Sequence, residues 1–345
     1  MYKFLIYISY PYSIPIGKPL QEEIERRGYN IYWFSDLENT KQYFSENEKI
    51  LHTVKEVMEY NPDIVLTATD NVAYFFPGIK VQIFHGFLSN KRQEMNAHFK
   101  IRGFFDLYTT QGPSTTEIFQ QLAKKHGYFE IIETGWSKVD PLFPIVQKTI
   151  TPKPVILISS TFTTRLSLAK NELVYEEIKR LSNTGKYQFL CVLHPKLEED
   201  VKSKFKKLEN ENFNYFDTTD LTPLFIKADI MFSDTTSAIV EFLLQEKPVV
   251  TFRTKKPFEH LIDVTEVNEI EKAINLALTK PDYVMKAIRD YIEYTHPYFD
   301  GKSSARIIDA SIAFLNKNKS HLKSKPWNLI RKYKVRKLLN YYKFW

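Results

Sequence analysis

The sequence predicts an α/β protein of two parallel-sheet domains in tandem, followed by a basic helical tail. Three observations carry this expectation. Short β-rich runs alternate with helical stretches through residues 1–145, and the same alternation restarts at residue 152. Strands and helices alternating at this spacing imply parallel sheets with crossover helices. Between Pro141 and Pro154 lie four prolines and no apolar period, which is the composition of a linker. A chain of 345 residues also exceeds one ordinary core and suits two domains.

The elements follow in order. In the first half, Tyr2–Ile8 reads as a strand, Pro19–Arg27 as a helix and Tyr29–Phe34 as the next strand after the turn at Gly28. Lys49–Tyr60 is helical, Ile64–Thr67, Val81–Phe84 and Asp106–Thr110 are strands, and a helix over Ser114–His126 precedes the strand Phe129–Glu133. In the second half, Val155–Ser159, Phe189–Leu193, Phe213–Phe216, Asp229–Phe232 and Pro248–Phe252 are strands. Helices over Asn171–Ser182, Leu197–Leu208, Leu221–Ile226 and Thr236–Gln245 separate them, and three more close the chain at Glu266–Leu278, Asp282–Tyr294 and Ser303–Leu315. Two such Rossmann-like sheets describe the GT-B architecture, in which the domains face a ligand cleft. The expected domains are 1–145, an acceptor-side domain, and 152–315, a nucleotide-donor domain, with 316–345 as the tail.

Composition excludes several classes. The single cysteine, Cys191, permits neither an internal disulfide nor a cysteine-rich metal site. The apolar run Phe4–Ile8 is too short for a signal-peptide core or a membrane span, so the expected location is cytoplasmic. Net charge is +7, yet residues 316–345 hold ten Lys or Arg and no acid, leaving about −3 on the rest (7 − 10). An acidic body with one basic tail argues against nucleic acid as a partner.

The strongest local signal is Met231-Phe-Ser-Asp-Thr-Thr-Ser-Ala-Ile-Val-Glu241. A buried strand turns through Ser233 and Asp234 into a helix near Thr236, and free backbone N–H groups at a helix start attract phosphate. Thr235, Thr236 and Ser237 can add hydroxyl donors, and Glu241, one turn on, can accept from a ribose. The same residue types are also good helix caps. His194 ends a strand of the second half and His85-Gly86 ends one of the first. Both would face the cleft, where an imidazole can take a proton or steady a phosphate. In Thr134-Gly-Trp-Ser-Lys-Val-Asp140, Lys138 can reach a phosphate and Asp140 can fix the turn. Glycine-rich nucleotide loops, zinc motifs and an Asp-x-Asp at a strand end are absent, so neither a metal nor a cofactor is expected.

In the tail, Trp327, Ile330, Val335, Leu338, Tyr342 and Trp345 share one broad face at helical spacing. Basic, aromatic and acid-free, the segment suits the surface of an anionic membrane; a protein-docking helix is the rival.

Taken in order, Pro62-Asp-Ile-Val65, Ile83-Phe-His-Gly86, Gly135-Trp-Ser-Lys-Val-Asp140, His194-Pro195, Ser233–Ser237 with Glu241, Lys247-Pro248 and Phe299-Asp-Gly-Lys302 resemble the CDP-glycerol glycerophosphotransferases, the teichoic-acid primases and polymerases. The resemblance spans roughly residues 60 to 310. It implies transfer of a polyol phosphate from a CDP-linked donor to a hydroxyl on a lipid-linked or polymeric acceptor, at the inner face of the cell membrane. It further implies His85 as the acceptor-side base, His194 at the donor phosphates and Thr235–Ser237 around the diphosphate, with Gly86, Lys91 and Lys302 as additional contacts. Where the family has Tyr-Ser-Ser this chain has Thr235-Thr-Ser237, and where it has Pro-Arg-Asn-Asp this chain has Ser137-Lys-Val-Asp140; the lysine after His-Gly is shifted to Lys91. Lysine keeps arginine's charge but not its bidentate geometry, so glycerol, ribitol and other CDP-linked groups remain open. A sugar transferase or epimerase using a UDP- or CMP-sugar, and a non-catalytic membrane-docked scaffold, are the two other readings.

Overall fold

The computed structural model describes residues 1–45, 48–87, 99–145 and 151–343. The described residues of 1–86, 98–143 and 295–345 make one compact unit, and those of 87–97 and 144–294 the other.

The first unit is built on seven parallel strands: β1 (Lys3–Ile8), β2 (Asn30–Ser35), β3 (Ile50–Leu51), β4 (Ile64–Thr67), β5 (Ile79–Gln82), β6 (Leu107–Thr110) and β7 (Glu130–Glu133), in the order β3-β2-β1-β4-β5-β6-β7. The order reverses between β1 and β4, and in such sheets ligands bind beyond the strand C-termini near the reversal. The helices are α1 (Ile14–Arg26), α2 (Glu38–Lys41), α3 (Val54–Tyr60) and α4 (Pro113–His126).

Each element has a local cause. Helix α1 starts five residues before the expected Pro19, because Pro15 lies in the first turn where no N–H is required. Gly17 lets it lie against the sheet, since a Cβ there would come within 2.2 Å of the Trp33 ring. Helix α3 begins at Val54 rather than Lys49. Thr53 and Glu56 form a reciprocal capping box, while Ile50–Leu51 joins β2 as an edge strand. The core gathers Leu5, Tyr7, Phe34, Val65, Phe76, Phe104, Tyr108 and Phe119, each large ring contributing about 2–3 kcal/mol by leaving water.

The second unit has six parallel strands: β8 (Val155–Ser160), β9 (Gln188–Leu193), β10 (Phe213–Phe216), β11 (Ile230–Ser233), β12 (Val249–Phe252) and β13 (Ile262–Val264), ordered β10-β9-β8-β11-β12-β13. Its helices are α5 (Glu172–Ser182), α6 (Glu199–Lys206), α7 (Thr222–Lys227), α8 (Ala238–Leu243), α9 (Ile270–Leu278) and α10 (Asp282–Thr295). Asn171 caps α5 by accepting from Leu173 and Val174 N–H. Helix α8 opens two residues later than expected. The reversal of strand order falls between β8 and β11.

Two differences from the sequence expectation concern the C-terminal region. The second unit ends at Tyr294, not 315: α11 (Ser303–Asn316) belongs to the first unit, tied to α1 by Arg27, which pairs with Asp309. The tail also returns to the first unit. Helix α12 (Leu329–Leu338) turns Val335 and Arg336 inward. The Arg336 guanidinium lies 4.8 Å from the Phe75 ring and 5.3 Å from the Tyr74 ring, and its Nε donates to the Tyr74 hydroxyl. Lys325 pairs with Asp106 at 2.6 Å. The expected apolar face is therefore divided. Val335 is buried, Trp327, Ile330, Leu338 and Tyr342 are exposed, and Trp345 lies outside the described residues. An arginine flanked by rings and hydrogen-bonded is a stronger anchor than a valine alone, and a hydrophobicity pattern does not register it. Among the described residues, no helix is long and apolar enough to cross a membrane.

Candidate active site

In the first unit the site is assembled where β5 ends. Phe84 takes a left-handed backbone, φ 58°, which for a bulky residue costs on the order of 1–3 kcal/mol. Its surroundings hold it there. Ile83 N–H donates to Thr67 C=O at 2.9 Å, Phe84 N–H to the Gln82 side chain at 3.3 Å, and the Trp136 indole N–H to Phe84 C=O at 3.3 Å. The Gln111 amide donates to Gly86 C=O at 3.2 Å. His85 is thus presented on a turn fixed through its neighbours' backbone, and its own side chain is exposed. Its ring centroid lies 6.3 Å from that of Tyr12, which stacks on Tyr10 at 5.4 Å.

The Gly135-Trp-Ser turn supports this arrangement. Gly135 has φ +81°, and a Cβ would meet the Ser303 hydroxyl at 2.4 Å. Trp136 N–H donates to Nε2 of His296 at 3.0 Å. Burial lowers the His296 pKa to about 4, so the ring is a neutral acceptor at physiological pH. Asp140 takes the role of turn anchor, accepting from Ser303 N–H at 2.9 Å and Ser304 N–H at 2.7 Å at the start of α11. Burial raises its pKa while these hydrogen bonds oppose the rise. Lys138 lies with its ammonium 5.4 Å from the Trp136 ring centroid. Lys302 is exposed, beside a cavity of about 590 Å³ that Glu22, Arg26 and Asp140 also line. Lys91 lies outside the described residues.

In the second unit the groups cluster at the ends of β8, β9 and β11, around the reversal of strand order. Asp234, wholly buried, accepts from the Ser160 hydroxyl at 2.6 Å, Thr161 N–H at 3.0 Å and Leu168 N–H at 3.0 Å. The Ser233 hydroxyl donates to Ser159 C=O at 2.7 Å. These two residues, expected among the donor contacts, brace β11 against β8 and shape the loop 161–167. His194 N–H donates to Ser160 C=O at 3.2 Å, and its Nδ1 accepts from Lys196 N–H at 3.0 Å. That hydrogen bond places the neutral ring's proton on Nε2, making Nε2 a donor. The ring packs 4.5 Å from Phe162.

Two residues of the Thr-Thr-Ser stretch, Thr235 and Thr236, line a small cavity of about 50 Å³ together with Thr254, Lys255, His260 and Tyr291. Thr235 and Thr254 hydroxyls are 3.3 Å apart. The Thr236 hydroxyl accepts from Ala238 N–H at 3.5 Å. Ser237 precedes α8 without a side-chain cap bond, and Glu241 is buried within that helix. His260 stacks on Tyr291 at 3.9 Å, and burial lowers its pKa to about 4.

Sequence reading missed several of these residues: Tyr10 and Tyr12, His296 beneath the Gly135-Trp-Ser turn, the loop Phe162–Arg165, and the Lys255–His260 segment. Their positions just beyond strand C-termini were the available signal for all but His296. Among the described residues, no three His, Cys, Asp or Glu side chains gather as a metal-holding group.

The family model described as CDP-Glycerol:Poly(glycerophosphate) glycerophosphotransferase matches residues 81–259, just over half the chain. No curated protein matches the sequence significantly. Among solved structures, the wall teichoic acid polymerase TagF superposes with a TM-score of 0.68 at 14% identity, covering 91% of this chain and 89% of that one. S. aureus MnaA in complex with UDP gives 0.63 at 15% identity, covering 94% and 99%. The UDP-GlcNAc 2-epimerase of Neisseria meningitidis bound to UDP-GlcNAc gives 0.61 at 15% identity, covering 90% and 99%. At such identities the structures establish the shared GT-B fold, and the family match carries the assignment further. The chain belongs to the CDP-glycerol:poly(glycerophosphate) glycerophosphotransferase family.

Proposed function

We propose that the chain transfers glycerol phosphate, or a similar polyol phosphate, from a CDP-linked donor to an acceptor hydroxyl in cell-surface polymer synthesis, with His85 as base and His194 at the donor phosphates. The observation that carries this reading is the extent of the family match. It runs from β5 to the loop beyond β12, and so contains His85, His194 and Thr235–Ser237. TagF, of the same fold, has also been determined after soaking with CDPG.

In this mechanism His85 accepts the proton of the acceptor hydroxyl. The oxygen attacks the donor phosphorus that bears the polyol, the new O–P bond forms, and the bond from that phosphorus to the bridging oxygen breaks. CMP leaves with the electron pair. The Nε2–H of His194, together with the hydroxyls of Thr235, Thr236 and Ser237, donates to the negative charge as it accumulates. No metal is required for any of these steps. The acceptor is a lipid-linked or polymeric hydroxyl compound. The tail holds the enzyme at an anionic membrane surface, on the cytoplasmic side, through exposed Trp327, Ile330 and Leu338 with their lysine and arginine neighbours.

Product analysis tests the reading. Incubation of the full chain with CDP-glycerol and membranes should give CMP and a new phosphodiester in equal amounts, by 31P NMR, with EDTA present. A glycosidic product or an isomerised sugar from a UDP-sugar, without phosphodiester, would instead establish sugar chemistry.

A further inference from the structure

Tyr10 and Tyr12 have no part in the chemistry described above, and they form an exposed, stacked pair beside His85. Most rings of the first unit fill the core. These two are 49% and 44% exposed, stack nearly parallel at 14°, and lie on the turn that leads from β1 into α1. Neither hydroxyl has a hydrogen-bond partner among the described residues. One member of the pair, Tyr12, also contacts the ring of His85.

We propose that Tyr10 and Tyr12 form a stacking platform for a pyranose ring of the acceptor, which positions a sugar hydroxyl at His85. An exposed aromatic face buries the C–H face of a sugar ring, while a free phenol hydroxyl hydrogen-bonds its rim. An open-chain glycerol phosphate has no such face. The platform therefore selects a saccharide-terminated acceptor over a poly(glycerol phosphate) end. These tyrosines act by positioning; proton removal stays with His85. The proposal rests on the reading of His85 as the acceptor-side base.

Saturation-transfer NMR on the full chain tests it, with methyl pyranosides and a pyranose disaccharide as probes and glycerol 3-phosphate and CMP as competitors. The disaccharide should bind the wild type. Its Kd should rise about tenfold in Tyr10→Ala, the order expected for loss of one stacking contact, and only about threefold in Tyr10→Phe and Tyr12→Phe, which keep the ring face and lose one hydroxyl hydrogen bond. Failure of any pyranoside to bind the wild type, equal binding by Tyr10→Ala, or displacement of the sugar by glycerol 3-phosphate or CMP would overturn the platform. CDP-glycerol binding is measured on the same samples. Its loss with sugar binding intact would count against the transferase reading alone, and the reverse result against the platform alone.

Discussion

His85 and His194 both stand beyond the C-terminal end of a parallel strand, yet the fold fixes them in different ways. At His85 it is the backbone that is held: a left-handed Phe84, with Trp136 and Gln111 gripping the carbonyls on either side. The imidazole is exposed. At His194 the ring itself is held, its Nδ1 filled by Lys196 N–H and one face against Phe162. A proton acceptor must offer a lone pair, so it profits from a fixed position and an open ring. A group that steadies departing phosphate must offer a proton, so it profits from a fixed tautomer. The difference in restraint thus corresponds to a difference in proposed role.

Several substitutions would break or sharpen that contrast. His85→Ala should have the largest effect, lowering transfer by about 10³-fold, within the range for loss of a general base, while CDP-glycerol affinity changes by less than about twofold. Single-turnover CMP release and calorimetry together measure this. His194→Ala should lower transfer by about 10²-fold and also weaken donor binding; an unchanged donor Kd would remove its assignment to the phosphates. Trp136→Phe keeps the packing but releases the Phe84 carbonyl. It should reduce kcat by about tenfold and stability by about 1 kcal/mol, as read from transfer assays and denaturant titration.

A further substitution concerns the support beneath His85. His296 has a folded pKa near 4 because burial disfavours its charged form, against about 6.5 in an unfolded chain. Between these values the unfolded chain binds more protons, so stability falls as pH drops through 6.5 towards 4. From pH 7 to pH 5 the loss from this residue is about 2 kcal/mol. His296→Gln supplies a non-titrating acceptor for Trp136 N–H, and its unfolding free energy should fall less than that of the wild type over the same range.

Much of this was legible in the sequence, for reasons specific to parallel sheets. Strands covered on both faces appear as short apolar runs, so Phe4–Ile8, Ile64–Thr67 and Phe189–Leu193 announce themselves, as do the polar residues that follow each one. The edge strands β3 and β13 are two and three residues long, too brief to produce a period. Long-range choices were hidden as well. Helical spacing shows that α11 and α12 have an apolar side, but not which surface each covers. The decisive contacts, Asp140 with Ser303 and Ser304 and Arg336 with Tyr74 and Phe75, pair residues more than 160 and 260 positions apart. Ser233 and Asp234 illustrate a third limit. Their residue types suit a phosphate cradle and a β-strand brace equally, and only the positions of Ser159, Ser160 and Thr161 distinguish the two.

The most direct test of the central claim is calorimetric titration of the purified full chain, with EDTA present, using CDP-glycerol, CDP-ribitol, CMP, UDP-GlcNAc and UDP. The account predicts tighter binding of the cytidine ligands, retained in His85→Ala and lost when Thr236 and Ser237 are both replaced by alanine. Preference for the uridine ligands, or binding that the double substitution leaves unchanged, would contradict it.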